Sequence, residues 1–172
     1  MTMDTARGVD PQRMRSAMGA FSTGVAVVAT ETPDGLYGMT VNSLTSVSLE
    51  PPLILVCLKD DARTTSAIES RGEFTVNILG ARQDAIADRF ARRGEDRFGG
   101  LELYRTESGL PFVPKALAIV ECRVDSTMTA GDHEIVLALV VRCEVRDGAP
   151  LVFFRSHYHD VADRGRPADW YW

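Results

Sequence analysis

The sequence predicts a mainly β protein with short helices, folded as one antiparallel barrel. The length of 172 residues is suited to a single domain. Six or more segments have strand composition, and most of them are joined by hairpin turns. Strands and helices do not alternate regularly, which argues against a doubly wound parallel sheet. Closing the strands into a barrel also removes exposed sheet edges.

The first half of the chain begins with a polar lead and a short helix. Asp10 is suited to the N-cap position and Pro11 to the first helical turn. The sequence TPDG has turn chemistry and joins two strands, and the apolar run PPLILVCL predicts a strand buried on both faces. The predicted elements are a flexible lead over 1–9, an amphipathic helix over 11–20, a hairpin of strands 25–30 and 36–41, and a strand over 51–58.

The remaining elements continue the same domain, which we place at residues 10–160. Gly72 is expected to end one helix, and a second glycine to end the next, whose apolar face carries Ile86 and Phe90. The C-terminal segment 161–172 ends in Trp170, Tyr171 and Trp172 and is expected to dock on the domain or on a partner. The predicted elements are a helix over 63–72, a strand over 73–79, a helix over 82–94, two long strands over 116–145 around the polar tip TAGDHE, and a strand over 151–155.

Composition excludes several classes of partner and location. The net charge of -5 argues against nucleic acid as a partner, because phosphate backbones favour basic surfaces. No apolar run reaches the length of a membrane span and no signal peptide is visible, so we expect a cytoplasmic protein without a membrane partner. Cys57, Cys122 and Cys143 form no CxxC motif and lie among apolar neighbours, which predicts buried, reduced thiols.

A polar ribbon, GMTVNSLTSVSLEPP over residues 38–52, interrupts the strands. Its hydroxyls and amides either satisfy one another at a sheet edge or form a backbone-lined site for a planar ligand such as an isoalloxazine ring. Arg63, Thr64 and Thr65 stand at a predicted helix N-terminus, which favours a phosphate. Neither GxGxxG nor GxxxxGK[ST] is present, so a Rossmann or P-loop nucleotide site is not supported.

The segments STGVAVVAT, GMTVNSLTSVSLEPPLILVCL, FTVNIL, GDHEIVLALV and PLVFFRSHY occur in this order, and together the chain resembles the flavin reductase-like family. These are short-chain NAD(P)H:flavin oxidoreductases that supply reduced flavin to two-component monooxygenases. The resemblance covers residues 14–158. It implies an FMN-binding split β-barrel with Greek-key topology, a homodimer with FMN or FAD at the subunit interface, and NADH or NADPH as the hydride donor.

The resemblance also implies the site residues. His133, in GDHEI, matches the position where the family places a histidine beside the nicotinamide, and we expect it to be the catalytic residue. The implied cofactor-binding residues are Thr40, Val41, Asn42, Ser43, Ser46, Val47, Ser48, Cys57, Leu58, Lys59, Arg63, Thr64 and Tyr158.

Other interpretations stay open at this point. The HxH pair His157 and His159 has Asp160 and Asp163 nearby, but without a third ligand at a recognisable spacing we expect no metal site. The charged run RFARRGEDRF, residues 89–98, is typical of a solvated face. Alternatively, Arg89 or Arg92 binds a nucleotide phosphate. Two other functions fit the same barrel: a non-catalytic flavin-binding electron carrier or sensor, and an oxidase of the pyridoxamine-phosphate oxidase type.

Overall fold

The computed structural model describes residues 8–94, 96–102 and 104–161. Its helices are α1 (Pro11–Met18), α2 (Arg63–Arg71) and α3 (Asp84–Ala91). Its strands are β1 (Thr23–Gly24), β2 (Ala26–Thr32), β3 (Gly35–Val41), β4 (Thr45–Leu49), β5 (Pro52–Lys59), β6 (Glu73–Ile78), β7 (Tyr104–Arg105), β8 (Pro111–Phe112), β9 (Ala118–Ala130), β10 (His133–Val145), β11 (Val152–Phe154) and β12 (His157–His159). The described strands pair antiparallel throughout, as the sequence predicts. Among these residues, no helix is long and apolar enough to cross a membrane.

The main sheet is forced to curl by its connectivity. It has seven strands in the order β3-β2-β6-β9-β10-β5-β4, so the two edge strands, β3 and β4, are joined directly by residues 42–44. In a flat sheet, six strand spacings would separate these edges by about 29 Å. The link from Val41 to Thr45 spans at most about 14 Å. The sheet therefore bends until its edges approach without pairing, which produces the predicted split barrel.

The order of the strands around the barrel is that of a Greek key. β2, β3, β4 and β5 follow one another around the wall, with the split between β3 and β4. β6 then returns to pair with β2 instead of continuing beside β5. This return brings α2, which connects β5 to β6, across one end of the barrel.

The core has two parts because β2 is buried on both faces. Ala26 and Val28 belong to the cluster inside the barrel. The alternate residue Val27 belongs to a second cluster with Phe90 of α3 and Leu151. The strand expected to be buried on both faces, 51–58, is instead buried on one, and its intervening side chains are partly exposed. The expectation of burial on both faces is therefore wrong for β5. It is β2 that is buried on both faces, because α3 and the C-terminal hairpin, β11–β12, cover its outer face.

Helix ends agree with the sequence at some positions and differ at others. α1 is capped by the Asp10 carboxylate, as predicted, but it ends at Met18 and buries none of its residues. α2 ends at Gly72, whose φ of +73° is the left-handed conformation that glycine favours. α3 ends instead at Arg92, in an extended conformation, so the expectation of a glycine end is wrong there.

The side chain missing at Gly38 makes room for two aromatic rings. A Cβ at Gly38 would lie 2.8 Å from the Phe90 ring and 3.1 Å from Phe98. The two rings pack edge to face, with centroids 5.0 Å apart. β3 and the segment after α3 therefore approach closely at this point.

We expect Gly38→Ala to lower the free energy of unfolding by about 1–3 kcal/mol, the usual cost of overpacking. Gly24→Ala is the matched control, because a Cβ there meets nothing within 4 Å. Urea titration measures both variants. Equal stabilities for the two would show that the rings move aside without cost.

Candidate functional site

A cavity of about 660 Å³ lies between the β2–β3 hairpin, the start of α2 and the segment that follows α3. Its volume is in the range of small-molecule and cofactor sites. The lining residues come from these three segments: Asp34 to Thr40, then Lys59, Asp61, Ala62, Arg63 and Thr64, and finally Phe90, Ala91, Arg93, Gly94, Asp96, Arg97 and Phe98.

The start of α2 forms the anion-binding part of this cavity. The N-cap residue is Ala62, and no side chain caps the helix there. The Thr65 N–H donates to the Ala62 carbonyl at 2.9 Å, so the N–H groups of Arg63 and Thr64 are those that this helix start offers to a ligand. Lys59 and Arg63 add positive charge to the same wall. Thr65 Oγ1 donates to the Lys59 carbonyl at 2.7 Å and fixes the turn before the helix. An uncapped helix start beside two cations fits a phosphate group, as a flavin nucleotide requires.

Arg63 is positioned by an aromatic ring. Its guanidinium carbon lies 5.5 Å from the centroid of the Tyr37 ring, within cation–π range. The side chain is exposed and pairs with no carboxylate among the described residues. Arg63 is therefore available to an anion in the cavity.

His133 lies at the edge of this region, as the first residue of β10. It stands opposite Lys59 of β5 in the strand register. Asp132 bridges the two side chains, with Oδ1 2.8 Å from His133 Nδ1 and Oδ2 3.7 Å from Lys59 Nζ. The hydrogen bond to His133 holds the pKa of Asp132 below its ordinary value. Because Nδ1 is engaged, Nε2 is the nitrogen that His133 can offer to a ligand.

The polar ribbon is more regular than the sequence indicated. Residues 45–49 form β4, which pairs with β5, and only 42–44 and 50–51 lie between strands. Pro52 is the first residue of β5 and stands opposite Leu49, a position that tolerates proline. Ser43 binds the backbone of Cys57 on both sides: its Oγ donates to the carbonyl at 2.8 Å and accepts from the N–H at 3.0 Å. Ser43 of the ribbon therefore attaches the link between β3 and β4 to β5, at the split of the barrel.

The structure brings some of the expected cofactor residues to the cavity and not others. Thr40, Lys59, Arg63 and Thr64 line it. The Thr40 hydroxyl is already committed to the Ala87 carbonyl, at 2.6 Å. The other expected residues lie outside the lining. Their side chains are buried at Val41 and Leu58, partly exposed at Ser43, Ser48 and Cys57, and exposed at Asn42, Ser46 and Val47.

Tyr158 is placed away from the cavity. Its hydroxyl donates to Asp88 Oδ1 at 3.1 Å, and its ring packs 5.8 Å from that of Phe153. Burial, together with the hydrogen bond to Asp88, raises the pKa of Tyr158 to about 12. Tyr158 therefore joins the C-terminal hairpin, β11–β12, to α3.

The sequence missed two arginines. Arg93 and Arg97 line the cavity, although their charged run was expected to be a solvated face. Arg97 is partly buried, its Nε donates to the Arg92 carbonyl at 2.9 Å, and burial lowers the pKa of its guanidinium. Arg89, considered as a phosphate ligand, donates instead to the Gly99 carbonyl. The feature of the sequence that could have indicated a role for these arginines is their clustering after α3.

The cysteines and the HxH histidines lie outside the cavity lining. Cys122 is buried, and burial raises the pKa of its thiol to about 12. Cys57 is partly exposed and Cys143 exposed, so the expectation of buried thiols holds for Cys122 alone. The rings of His157 and His159 are 6.5 Å apart, and the described part of the chain has no group of three metal-ligating side chains.

Comparison with known proteins identifies the family to which this chain belongs. The profile described as "Flavin reductase like domain" matches residues 18–162. The chain is 42% identical over 146 residues to the FMN reductase (NADH) SmoA of Agrobacterium fabrum, covering 85% of this chain and 83% of that protein. It is 35% identical over 167 residues to the flavin-dependent monooxygenase reductase subunit HsaB of Rhodococcus jostii, covering 96% and 86%.

Solved structures show the same fold. The NADH:FAD oxidoreductase SgcE6 of Streptomyces globisporus, in complex with NAD and FAD fragments, superposes with a TM-score of 0.86. That alignment has 32% sequence identity and covers 94% of this chain and 100% of that one. Component B of nitrilotriacetate monooxygenase from Mycobacterium thermoresistibile gives a TM-score of 0.88 at 32% identity, covering 93% and 92%.

Proposed function

Because the chain belongs to the flavin reductase-like family, we propose that it is an NAD(P)H:flavin oxidoreductase that reduces FMN or FAD and supplies the reduced flavin to a partner monooxygenase. The observation that carries this proposal is the family match across residues 18–162, within which the cavity lies. Relatives named as reductase components of monooxygenases support the partner. The cytoplasmic location stays a prediction.

The residues of this chain have binding and positioning roles in the reaction. When bound, the flavin supplies the hydride-accepting chemistry, and the nicotinamide is the donor. The start of α2, Lys59 and Arg63 hold the flavin phosphate, while Ser43 fixes the backbone of the expected ring-binding segment. Little acid–base chemistry is required of the side chains.

We assign His133 to the nicotinamide nucleotide. Asp132 holds Nδ1 and so orients the ring, which leaves Nε2 to contact the nicotinamide or its pyrophosphate. Its position opposite Lys59 puts this contact beside the wall that carries the flavin phosphate site.

The function is tested by NADH and NADPH consumption with and without added FMN and FAD. A reductase consumes nicotinamide only when flavin is present or carried by the protein. Tight flavin binding with negligible consumption would favour an electron carrier or sensor. Consumption of neither nicotinamide, with oxidation of an amine substrate, would favour the oxidase alternative.

We also expect an isologous homodimer. Exposed apolar side chains lie on β4, at Val47 and Leu49, and along α1, at Met14 and Met18, which supports a partner subunit over these surfaces. A flavin along the split edge of the barrel needs such a cover. Light scattering should give about twice the mass of the chain. A monomer with full reductase activity would contradict the dimer.

A further inference from the structure

The turn between β9 and β10 places a carboxylate between an ammonium group and an imidazole. Two residues, Gly131 and Asp132, form this turn, and Gly131 has a φ of +68°, a conformation that glycine favours in tight hairpin turns. The next residue, His133, stands opposite Lys59 in the strand register, so the two side chains leave the same face of the sheet. The N–H of Asp60 donates to the Asp132 carbonyl at 3.3 Å, which attaches the turn to the end of β5.

Asp132 divides its charge unequally between these two partners. Its Oδ1 lies 2.8 Å from His133 Nδ1, within hydrogen-bond distance, whereas Oδ2 lies 3.7 Å from Lys59 Nζ, at ion-pair distance only. The hydrogen bond to His133 is the main cause of the lowered pKa of Asp132, and the charge of Lys59 contributes least. The ion pair with Lys59 is therefore the weaker of the two contacts and the easier one to break.

Lys59 also belongs to the wall that carries the proposed flavin phosphate site. Its side chain lines the cavity together with Arg63. Its backbone carbonyl is fixed by the Thr65 hydroxyl at 2.7 Å and by the Ala62 N–H at 3.1 Å. The ammonium group, by contrast, ends a flexible side chain that is 42% exposed. A phosphate at the start of α2 can therefore draw this ammonium group away from Asp132 while the backbone stays in place.

The loss of the Lys59 ion pair leaves the whole charge of Asp132 to His133. An ionised carboxylate only accepts hydrogen bonds, so Nδ1 carries the proton of this bond, and Nε2 of the neutral ring is an acceptor. An undivided negative charge beside Nδ1 makes Nε2 a stronger acceptor, as carboxylates do for metal-binding histidines. The same charge stabilises the imidazolium form, in which Nε2 is a donor. In both forms, the contact of Nε2 with the nicotinamide nucleotide becomes stronger.

We propose that Lys59 and Asp132 couple the binding of the two substrates: the flavin phosphate takes Lys59 from Asp132, and His133 then holds the nicotinamide nucleotide more tightly. This inference rests on the proposed function and adds cooperativity to it, with Asp132 as a positioning residue that acts through His133. The nicotinamide nucleotide must in turn raise the affinity for FMN by the same factor, because coupling between two sites is reciprocal. Riboflavin has no phosphate and should not produce the effect.

Calorimetric titration with NAD⁺ measures this coupling without turnover, because both ligands are oxidised. The titration is made once at saturating FMN and once at saturating riboflavin. We expect NAD⁺ to bind about two- to fivefold more tightly with FMN, the range for an exposed ion pair. Lys59→Gln and Asp132→Asn should each bring this ratio to one, whereas Lys59→Arg keeps the charge and should retain part of it. Lys115→Gln is the control, because this other lysine is exposed and lies outside the cavity lining.

The ratio compares two flavins in the same variant, so a general loss of stability affects both titrations alike. The KM for NADH, with FMN and with riboflavin as acceptors, gives the same comparison by kinetics. Equal affinities in the unmodified chain would overturn the proposal. A ratio that persists in Lys59→Gln would also overturn it, since the flavin phosphate would then act on the nicotinamide nucleotide by another route. Absence of flavin-dependent NADH oxidation in the unmodified chain would instead count against the proposed function.

Discussion

Arg63→Ala is expected to weaken the binding of FMN and FAD ten- to a hundredfold and to leave riboflavin binding nearly unchanged. A charge-assisted hydrogen bond contributes about 1.5–3 kcal/mol, which is the free energy that this loss represents. Arg63 lines the cavity at the uncapped start of α2, and only flavin nucleotides carry a phosphate for it to hold. Fluorescence titration with the three flavins measures the effect.

Arg71→Ala is the matched control, because Arg71 is at the other end of α2, in an exposed pair with Glu73 at 3.6 Å. It should not change flavin binding. If Arg63→Ala weakened FMN and riboflavin equally, Arg63 would act through the structure of the cavity wall, for which its contact with Tyr37 provides the means.

His133→Ala is expected to raise the KM for the nicotinamide ten- to a hundredfold, with a smaller decrease in kcat. Hydride transfer needs no proton relay through the imidazole, so its loss removes binding energy that is shared by the ground state and the transition state. The size again follows from a bond of about 1.5–3 kcal/mol. The measurement varies NADH at saturating flavin.

His157→Ala serves as the control histidine. His157 is exposed in β12, and its Nδ1 lies 2.8 Å from the Arg155 carbonyl, so we expect unchanged kinetics. Unchanged KM and kcat in His133→Ala would identify His133 as a structural residue of the β9–β10 hairpin, engaged only with Asp132.

Local signals in the sequence predicted the elements that depend on neighbouring residues. Asp10 and Gly72 marked one helix start and one helix end, and TPDG marked the turn of the first hairpin. The assignment of PPLILVCL to a doubly buried strand failed because burial depends on which elements cover the outer face. α3 and the C-terminal hairpin cover β2, and no periodicity within a single strand carries that information.

The same distinction applies to the site. The position of Arg63 and Thr64 at a helix start was predictable, because a helix start is a local feature of the sequence. Arg97 reaches the cavity only because the segment after α3 packs on Gly38, where the missing side chain permits contact with Phe90 and Phe98. That packing joins residues 59 positions apart in sequence, so the charged run alone gave no reason to expect it.

Hydride transfer from a nicotinamide to a flavin can be observed directly. The most direct measurement is the visible absorbance of free FMN and FAD, followed anaerobically after NADH or NADPH is added with catalytic amounts of the protein. We expect bleaching of the flavin over many turnovers, at a rate proportional to protein concentration. Bleaching no faster than in the protein-free control, for all four flavin–nicotinamide pairs, would contradict it.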